Sequence, residues 1–300
     1  MTLFTERIDG PGDWSRVFQS VLTFAPLVEY IMKREGLPAG DIENLTPGTN
    51  AVFKSGDHVI KIFAPAGSGF YFPFDLHTEL FAARRTGALG VDTPQVIADG
   101  FVDDSYRFAY IITEYIPGAE LLQALKTMTD DEKTAVGRRL RNMTDRMNTP
   151  SAPFNDVDVT SGKGRYRRWE PYPERFKAER LAYIGARDWG KKVFVHGDLC
   201  PDNIIQAPDG RLYILDFADA VLAPICYEHA LVAFAFGLDA PLLRGFFADY
   251  SPGDFLAMCF DGLLIHDFGG DIVREHIGEP KLFSGLDDLR SGLKRRIATS

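Results

Sequence analysis

Three side chains with oxygen atoms stand at a spacing that suits metal-assisted chemistry. Asp198 follows an apolar run that ends at Val195, and Asn203 comes five positions after Asp198. A second apolar run, at 212–215, leads into Asp216. Short apolar runs bounded by turn residues are typical of strands, so we expect the three side chains to converge at the mouth of a hairpin. Oxygen ligands of this kind suit Mg²⁺, which keeps waters and substrate phosphates in its coordination shell.

This spacing is typical of phosphoryl transfer. In that chemistry a loop Asp accepts the proton of the substrate hydroxyl, an Asn farther along the loop binds Mg²⁺, and an Asp-Phe pair on the next hairpin supplies the second metal ligand. Asp198, Asn203 and Asp216-Phe217 would take these roles. The plain alternative is a polar loop that joins two core strands, and the combination of motifs favours the catalytic interpretation.

On His196-Gly197-Asp198, Asn203 and Asp216-Phe217, the sequence resembles the aminoglycoside phosphotransferase and choline kinase-like family of small-molecule kinases. The resemblance runs from about residue 41 to the C-terminus. It implies an α+β, protein-kinase-like, two-lobed fold, with a five-stranded antiparallel sheet in the N-terminal lobe and a mostly helical C-terminal lobe. The implied lobes are 1–115, which binds nucleotide and begins with a helical extension at about 13–35, and 116–300, which holds the catalytic and substrate-binding residues.

The resemblance implies two groups of backbone contacts to the nucleotide. Gly48, Thr49 and Asn50 form a turn where the family covers the phosphates with backbone amides. The G-x-G-x-x-G pattern of protein kinases is absent, so this turn taken alone could be an ordinary hairpin. Backbone groups near Glu114 and Ile116, in the hinge between the lobes, would face the adenine.

Lys61 interrupts an apolar strand. Alternation along the strand puts Lys61 on the same face as Val59 and Phe63, so its charge needs a partner. The family uses this Lys on the α- and β-phosphates of ATP, braced by a Glu on the next helix, and Glu79 is the matching residue. The alternative is a Lys that reaches solvent from an edge strand.

The periodicity of the remaining chain places strands before helices. The pattern from 42 to 63 predicts three antiparallel strands, and 95–98 and 108–112 predict two more. Beyond the hinge the pattern predicts helices at 121–126, 131–147, 173–189, 226–236, 242–250, 253–268, 272–277 and 286–297. A polar loop at 150–168 contains Lys163, Arg165, Arg167 and Arg168, which either face solvent or contact a phosphate.

Composition limits the possible partners. The chain has 300 residues and a net charge of −9, which disfavours binding to nucleic acid or to anionic membranes. Its three cysteines show no metal-like spacing, and neither a signal peptide nor a membrane-spanning run is evident, so we expect a cytoplasmic protein. The oligomeric state stays open.

Acidic residues near the C-terminus could bind the acceptor. Asp261 and Asp267 lie in the predicted helix 253–268, which is apolar nearly all round and therefore expected to be buried. A buried carboxylate needs a partner or a wet cavity. We expect Gly269-Gly270 to break the helix and to turn Asp271 toward the same cleft.

In the family, C-terminal acids bind amines of the acceptor. The resemblance therefore implies a cationic acceptor held by Asp267 or Asp271, with Asp261 as a third candidate. An equally good alternative is that these carboxylates cap helices or pair with Arg274.

Two departures from protein kinases bear on the acceptor and on the loop. Gly197 replaces the Arg that pairs with a phosphorylated activation loop, and little chain follows Asp216 before the next helix, so a small-molecule acceptor fits better than a protein. Glu228 stands where the family often has an Asp that braces the catalytic loop, which leaves the bracing open.

The sequence thus predicts a phosphotransferase that moves the γ-phosphate of Mg·ATP to a hydroxyl of a small cationic molecule, such as an aminoglycoside, an amino alcohol or a sugar amine. The alternative is a nucleotide-binding pseudokinase with a regulatory or scaffolding role. The presence of Lys61, Asp198, Asn203 and Asp216 together favours the enzyme. Preference for ATP over GTP stays open.

Overall fold

The structure, a computed structural model, describes residues 2–46, 48–162 and 166–299. Two compact units make up the chain: Met1–Ala88 with Thr93–Pro117, and Leu89–Asp92 with Gly118–Ser300. Lys163 and Arg165 of the predicted basic run lie outside the described residues. Within the described ranges, no helix combines the length and the hydropathy that a membrane span requires.

The first unit contains a five-stranded antiparallel sheet, as predicted. Its strands and helices, in chain order, are α1 (Pro11–Val17), α2 (Val21–Arg34), β1 (Ile42–Asn44), β2 (Ala51–Ser55), β3 (His58–Ile62), α3 (Asp75–Ala88), β4 (Val96–Asp103) and β5 (Arg107–Glu114). The strand order is β1-β2-β3-β5-β4, and each neighbouring pair is antiparallel. The central position of β3 matters for the site, because this strand carries Lys61.

The predicted N-terminal helical extension is present as two helices that pack on the sheet. Phe24, Leu27 and Ile31 recur at helical spacing along α2 and are fully buried, in one core cluster with residues of β2 and β3. The chain turns between the helices because Ser20 caps α2, accepting a hydrogen bond from the Thr23 N–H.

The second unit is mostly helical, also as predicted. Its elements are β6 (Ala119–Glu120), α4 (Leu121–Leu125), α5 (Asp130–Met147), α6 (Glu174–Ala186), β7 (Val193–Val195), β8 (Ile204–Gln206), β9 (Leu212–Ile214), β10 (Val221–Ala223), α7 (Cys226–Ala235), α8 (Ala240–Phe246), α9 (Pro252–Ile265), α10 (Gly269–His276) and α11 (Leu286–Ala298). The short strands form two sheets, β6-β8-β9 and β10-β7. The predicted catalytic loop, residues 196–203, lies between β7 of one sheet and β8 of the other.

Close packing of α5 against α8 depends on glycine. A Cβ on Gly137 of α5 would lie 2.1 Å from the Leu242 carbonyl oxygen, and one on Gly245 of α8 would lie 2.1 Å from that of Thr134. Any larger residue would force the helices apart, so both glycines are needed for this contact. The start of α5 is fixed by a capping box between Thr129 and Glu132.

Gly269-Gly270 does not break a helix as we expected. The helix α9 ends at Ile265, because His266 has extended backbone angles (φ −69°, ψ 138°), and the two glycines begin α10. They are needed for close approach: a Cβ on Gly269 would lie 1.9 Å from the Leu263 carbonyl oxygen, and one on Gly270 would lie 2.4 Å from that of Arg168. The prediction of one helix to 268 was therefore wrong by three residues.

Candidate active site

The catalytic loop of the second unit follows β7. Asn203, at the other end of this loop, donates from Nδ2 to the Asp198 carboxylate at 3.0 Å and to the Asp198 carbonyl at 2.9 Å. The Asn203 carbonyl accepts from the N–H of Leu215 at 2.9 Å, so the residue before Asp216 is joined to the same loop. Because the amide nitrogen of Asn203 faces Asp198, the amide oxygen is the atom that could bind another ligand.

Asp216 has an unusual backbone conformation. Its φ is +57°, in the left-handed region that residues other than glycine seldom adopt. The side chain is exposed, whereas that of the next residue, Phe217, is buried. Strained conformations of this kind concentrate at functional sites, where the surrounding structure holds them.

The His196 ring connects the backbone at Asp198 to the backbone at Leu215, the residue before Asp216. Its Nδ1 accepts from the Asp198 N–H at 3.1 Å, and its Nε2 donates to the Leu215 carbonyl at 2.8 Å. The ring is fully buried and lies 4.7 Å from the Phe217 ring, measured between centroids. The imidazole therefore fixes the loop relative to the segment that carries Asp216.

Gly197 is required by space as well as by conformation. Its φ is +83°, and a Cβ at this position would lie 2.1 Å from the carbonyl oxygen of Asp219. An Arg at position 197, as in protein kinases, would need the segment at 219 to move. The sequence identified the substitution but not this packing reason.

Glu228 does brace the loop, which the sequence had left open. This fully buried residue in the first turn of α7 accepts from the Gly197 N–H at 3.0 Å and from Asn148 Nδ2 at 3.1 Å. Asn148 also donates to the carbonyl of Phe194, at 3.0 Å. Burial raises the pKa of Glu228, against the effect of these hydrogen bonds and of His196.

Lys61 and Glu79 of the first unit meet as the pattern predicted. Lys61 Nζ lies 2.7 Å from Glu79 Oε2, and less than a tenth of either side chain is exposed. The edge-strand alternative for Lys61 is wrong, because β3 lies between β2 and β5. A buried ion pair costs desolvation free energy, so its presence here favours a functional interpretation over a stabilising one.

The proposed nucleotide-contacting backbone lies at the ends of strands in the first unit. Gly48 and Thr49 are exposed, whereas Asn50 is buried and accepts from the Ala64 N–H at 3.0 Å. Glu114 ends β5, and Ile116 follows it half-buried. Their contacts to adenine or phosphate stay predictions.

Residues 52–260, more than two thirds of the chain, match the family model described as the phosphotransferase enzyme family, APH. The chain belongs to this family. The sequence-based assignment is therefore confirmed, and the protein is a phosphotransferase whose acceptor is a hydroxyl group. No curated protein matches the chain significantly.

Solved structures of phosphotransferases share the fold at low sequence identity. The GDP complex of aminoglycoside 2'-phosphotransferase-IIIa is 17% identical with a TM-score of 0.61, covering 94% of this chain and 96% of that one. Choline kinase LicA from Streptococcus pneumoniae is 17% identical with a TM-score of 0.56, covering 91% and 99%. A choline/ethanolamine kinase family protein from Mesorhizobium loti is 18% identical with a TM-score of 0.55, covering 91% and 92%. The predicted kinase-like α+β fold is confirmed.

Two of the acidic candidates for acceptor binding in this phosphotransferase, Asp261 and Asp271, pair with arginines. Asp261 is buried, accepts from the Tyr183 hydroxyl at 2.6 Å and pairs with Arg187. Asp271 pairs with Arg274 at 2.9 Å and also with Arg168. Ion pairing was the alternative for these carboxylates, and for Asp271 the pairing with Arg274 is present.

Asp267 has a different environment in the phosphotransferase. It is half-buried beyond the end of α9, and its N–H donates to the Tyr227 hydroxyl at 3.3 Å. Burial lowers the pKa of the neighbouring Arg180 to about 10, and the Asp267 carboxylate opposes this shift. The negative charge of Asp267 therefore acts on a neighbouring cation, Arg180.

The donor set of the phosphotransferase fits Mg²⁺. Asn203 and Asp216 would supply an amide oxygen and a carboxylate, and Mg²⁺ commonly takes one or two protein ligands with phosphates and waters completing its octahedron. Within the described ranges, no group of three or more His, Cys, Asp or Glu side chains could hold a metal.

Proposed function

We propose that the enzyme transfers the γ-phosphate of Mg·ATP to a hydroxyl of a small cationic molecule. The observation that carries this proposal is the contact of the Asp198 carboxylate with the Asn203 amide, in a loop whose backbone is held by Glu228. Catalysis of this type is mostly positioning and charge stabilisation, so a rigidly held carboxylate is its central requirement.

In this proposal Asp198 orients the acceptor hydroxyl and accepts its proton. Asn203 fixes the Asp198 carboxylate through Nδ2, and its amide oxygen, together with Asp216, would hold Mg²⁺. Bound Mg²⁺ supplies neutralisation of the charge on the transferring phosphoryl group. His196 keeps the loop and the Asp216 segment in register through its two ring nitrogens.

The first unit is proposed as the nucleotide-binding lobe, 1–115, and the second as the catalytic and substrate-binding lobe, 116–300. Lys61 would bind the α- and β-phosphates, with Glu79 holding its ammonium group in place. The amides of Gly48, Thr49 and Asn50 would cover the phosphates. The acidic chain and its three free cysteines make the cytoplasm the proposed compartment.

For the acceptor we propose a cationic compound held by Asp267 or Asp271, with Asp261 as a third candidate. Asp271 and Asp261 each pair with an arginine, and the charge of Asp267 acts on Arg180, so these carboxylates lie where cationic groups are bound. One relative of the same fold is described as a ternary complex of an aminoglycoside phosphotransferase with ADP and hygromycin B, and others are described as choline kinases. Aminoglycosides, amino alcohols and sugar amines are therefore the first compounds to test.

The test is a turnover screen of the purified protein with Mg·ATP. Aminoglycosides, amino alcohols and sugar amines are compared with neutral polyols of similar size, and ADP release is measured above the background without acceptor. We expect turnover with at least one cationic hydroxyl compound. Nucleotide binding without turnover on any acceptor would favour the pseudokinase, and a neutral compound as the best acceptor would overturn the cationic class.

The role of Asp267 is tested on the acceptor that this screen identifies. Asp267→Asn is expected to raise the KM for the acceptor about tenfold and to leave the KM for ATP unchanged, because one charge-assisted contact is lost. Asp261→Asn is the matched control, since Arg187 already pairs with that carboxylate. Asp271→Asn tests the second candidate in the same way. Unchanged acceptor KM in both Asp267→Asn and Asp271→Asn contradicts the assignment.

A further inference from the structure

The N-terminal segment, residues 2–18, contacts the proposed phosphate turn, Gly48 to Asn50. In α1, Trp14 donates a 2.8 Å hydrogen bond from indole Nε1 to the carbonyl oxygen of Thr49. Trp14 is 1% exposed, so this carbonyl, not water, satisfies its N–H. The segment precedes residues 52–260, which match the family, so the contact is an addition to the matched region.

The other end of the N-terminal segment is fixed to the β4–β5 turn. The N–H groups of Leu3 and Phe4 donate to the Asp104 carboxylate, at 3.1 and 2.8 Å. The N–H of Ile8 donates to the Tyr106 hydroxyl at 2.7 Å. The N-terminal segment is therefore held at two places, the β4–β5 turn and the phosphate turn.

Close packing holds α1 in place as well. The Trp14 ring lies 6.0 Å from the Phe24 ring, measured between centroids, and Phe24 lies 5.4 Å from Phe53 of β2. Gly69, with φ +82°, lies so close to α1 that a Cβ there would be 2.4 Å from Pro11 Cγ. The indole is thus presented to Thr49 by a rigid support.

The hydrogen bond from Trp14 fixes the orientation of one peptide group. In a planar trans peptide the C=O and the following N–H point in opposite directions. With the Thr49 carbonyl directed at Trp14, the N–H of Asn50 is directed away from it. The Asn50 side chain is held independently by Ala64. Backbone N–H groups fixed in this way are the donors that bind phosphate oxygens in turns.

We propose that Trp14 is a positioning residue for nucleotide binding. Its hydrogen bond holds the Thr49–Asn50 peptide in the orientation that binds the phosphates. This inference rests on the proposed function, since it takes the phosphate turn as part of a nucleotide site. The competing account is that Trp14 only fills the core. Both accounts predict that substitution of Trp14 lowers stability. Only the positioning role predicts a change in affinity that is limited to ligands carrying phosphates.

Calorimetric titration of Mg·ATP and of adenosine distinguishes the two accounts. Trp14→Phe keeps an aromatic ring and removes the N–H. Trp189→Phe is the matched control, because Trp189 Nε1 donates to the Ile184 carbonyl at 3.0 Å in the second unit. We expect Trp14→Phe to weaken Mg·ATP binding about fivefold, the effect of one neutral hydrogen bond, with adenosine binding changed by less than about twofold. Trp189→Phe should leave both affinities unchanged.

Equal weakening of both ligands in Trp14→Phe, or weakening of neither, overturns the positioning role. A wild-type protein that does not bind Mg·ATP overturns the proposed function, and this inference with it. A wild-type protein that binds Mg·ATP while Trp14→Phe binds it equally well overturns the inference alone.

A second measurement applies if Trp14→Phe does not fold. The chain has three tryptophans, so ¹⁵N-tryptophan labelling of the wild type gives three indole signals, assigned with Trp169→Phe and Trp189→Phe. We expect saturating Mg·ATP, but not adenosine, to shift the Trp14 indole signal. A Trp14 signal that does not move with Mg·ATP contradicts the proposal.

Discussion

The predicted catalytic loop and the proposed phosphate turn are held by different kinds of contact. The backbone of the loop at 196–198 is bound by a fully buried carboxylate, Glu228, and by an imidazole. The turn at 48–50 is bound by a neutral indole, Trp14, and by the Asn50 amide oxygen. The partners of the loop lie within 52–260, whereas Trp14 lies outside it.

This difference indicates which substitutions should reduce turnover or stability most. A hydrogen bond to a charged acceptor contributes roughly twice what a neutral one contributes, and leaving its donor unpaired in the interior costs more again. Changes at the loop and its supports should therefore reduce turnover or stability strongly. Changes at the turn should alter nucleotide affinity a few-fold, as proposed for Trp14.

The largest effects are expected at Asp198 and at the proposed metal ligand Asp216. Asp216→Asn removes the anionic ligand but tolerates the positive φ, and kcat/KM should fall about 10³-fold as metal-assisted charge stabilisation is lost. Titration of ATP with and without Mg²⁺ provides the second readout, since the Mg²⁺ enhancement of binding should disappear. Equal Mg²⁺ enhancement in wild type and variant contradicts this role.

Glu228→Gln should have the next largest effect. The amide NH₂ of Gln would face a donor, either Gly197 N–H or Asn148 Nδ2, so we expect a loss of about 3 kcal/mol in unfolding free energy. Turnover should fall about tenfold while the KM for ATP stays constant. Urea unfolding and steady-state kinetics measure both quantities. An unchanged kcat would mean that the loop does not need this support.

His229, beside Glu228, gives a pH-dependent effect. Burial lowers the pKa of His229 from 6.5 to about 3, so the ring stays neutral in the folded protein at a pH where it is protonated in the unfolded chain. The folded state therefore loses stability as the pH falls from about 6.5 towards 3. The wild type should lose about 2 kcal/mol between pH 6.5 and 4.5 from this group, and His229→Phe should lose less. Thermal unfolding across this range tests the difference. Parallel pH curves would contradict it.

Local patterns in the sequence predict most of the scaffold. Alternation and turn residues identify the five strands of the first unit, and 3.6-residue periodicity identifies α2 and α5. The Lys61–Glu79 contact also follows, because a charge on an apolar face needs a partner and the next helix offers one. These features depend on residues close in the chain or on one strong physical requirement.

Contacts between distant residues are what the sequence does not reveal. Asn148 and Glu228 are 80 positions apart, and Trp14 and Thr49 are 35 apart. Neither Asn148 nor Trp14 stands in a motif, and a tryptophan near an apolar helix is usually core. The role of Gly270 was misread for the same reason, since this residue allows a close approach to the backbone of Arg168 rather than a helix break.

The most direct test of the account compares wild type with Asp198→Asn. Phosphorus NMR follows the appearance of a phosphate ester on the acceptor identified by the screen, and calorimetry measures Mg·ATP affinity in both proteins. The account predicts that ester formation falls about 10³-fold in Asp198→Asn while the affinity changes by less than about threefold, because Asp198 acts on the acceptor hydroxyl. Ester formation at the wild-type rate in Asp198→Asn would contradict the account.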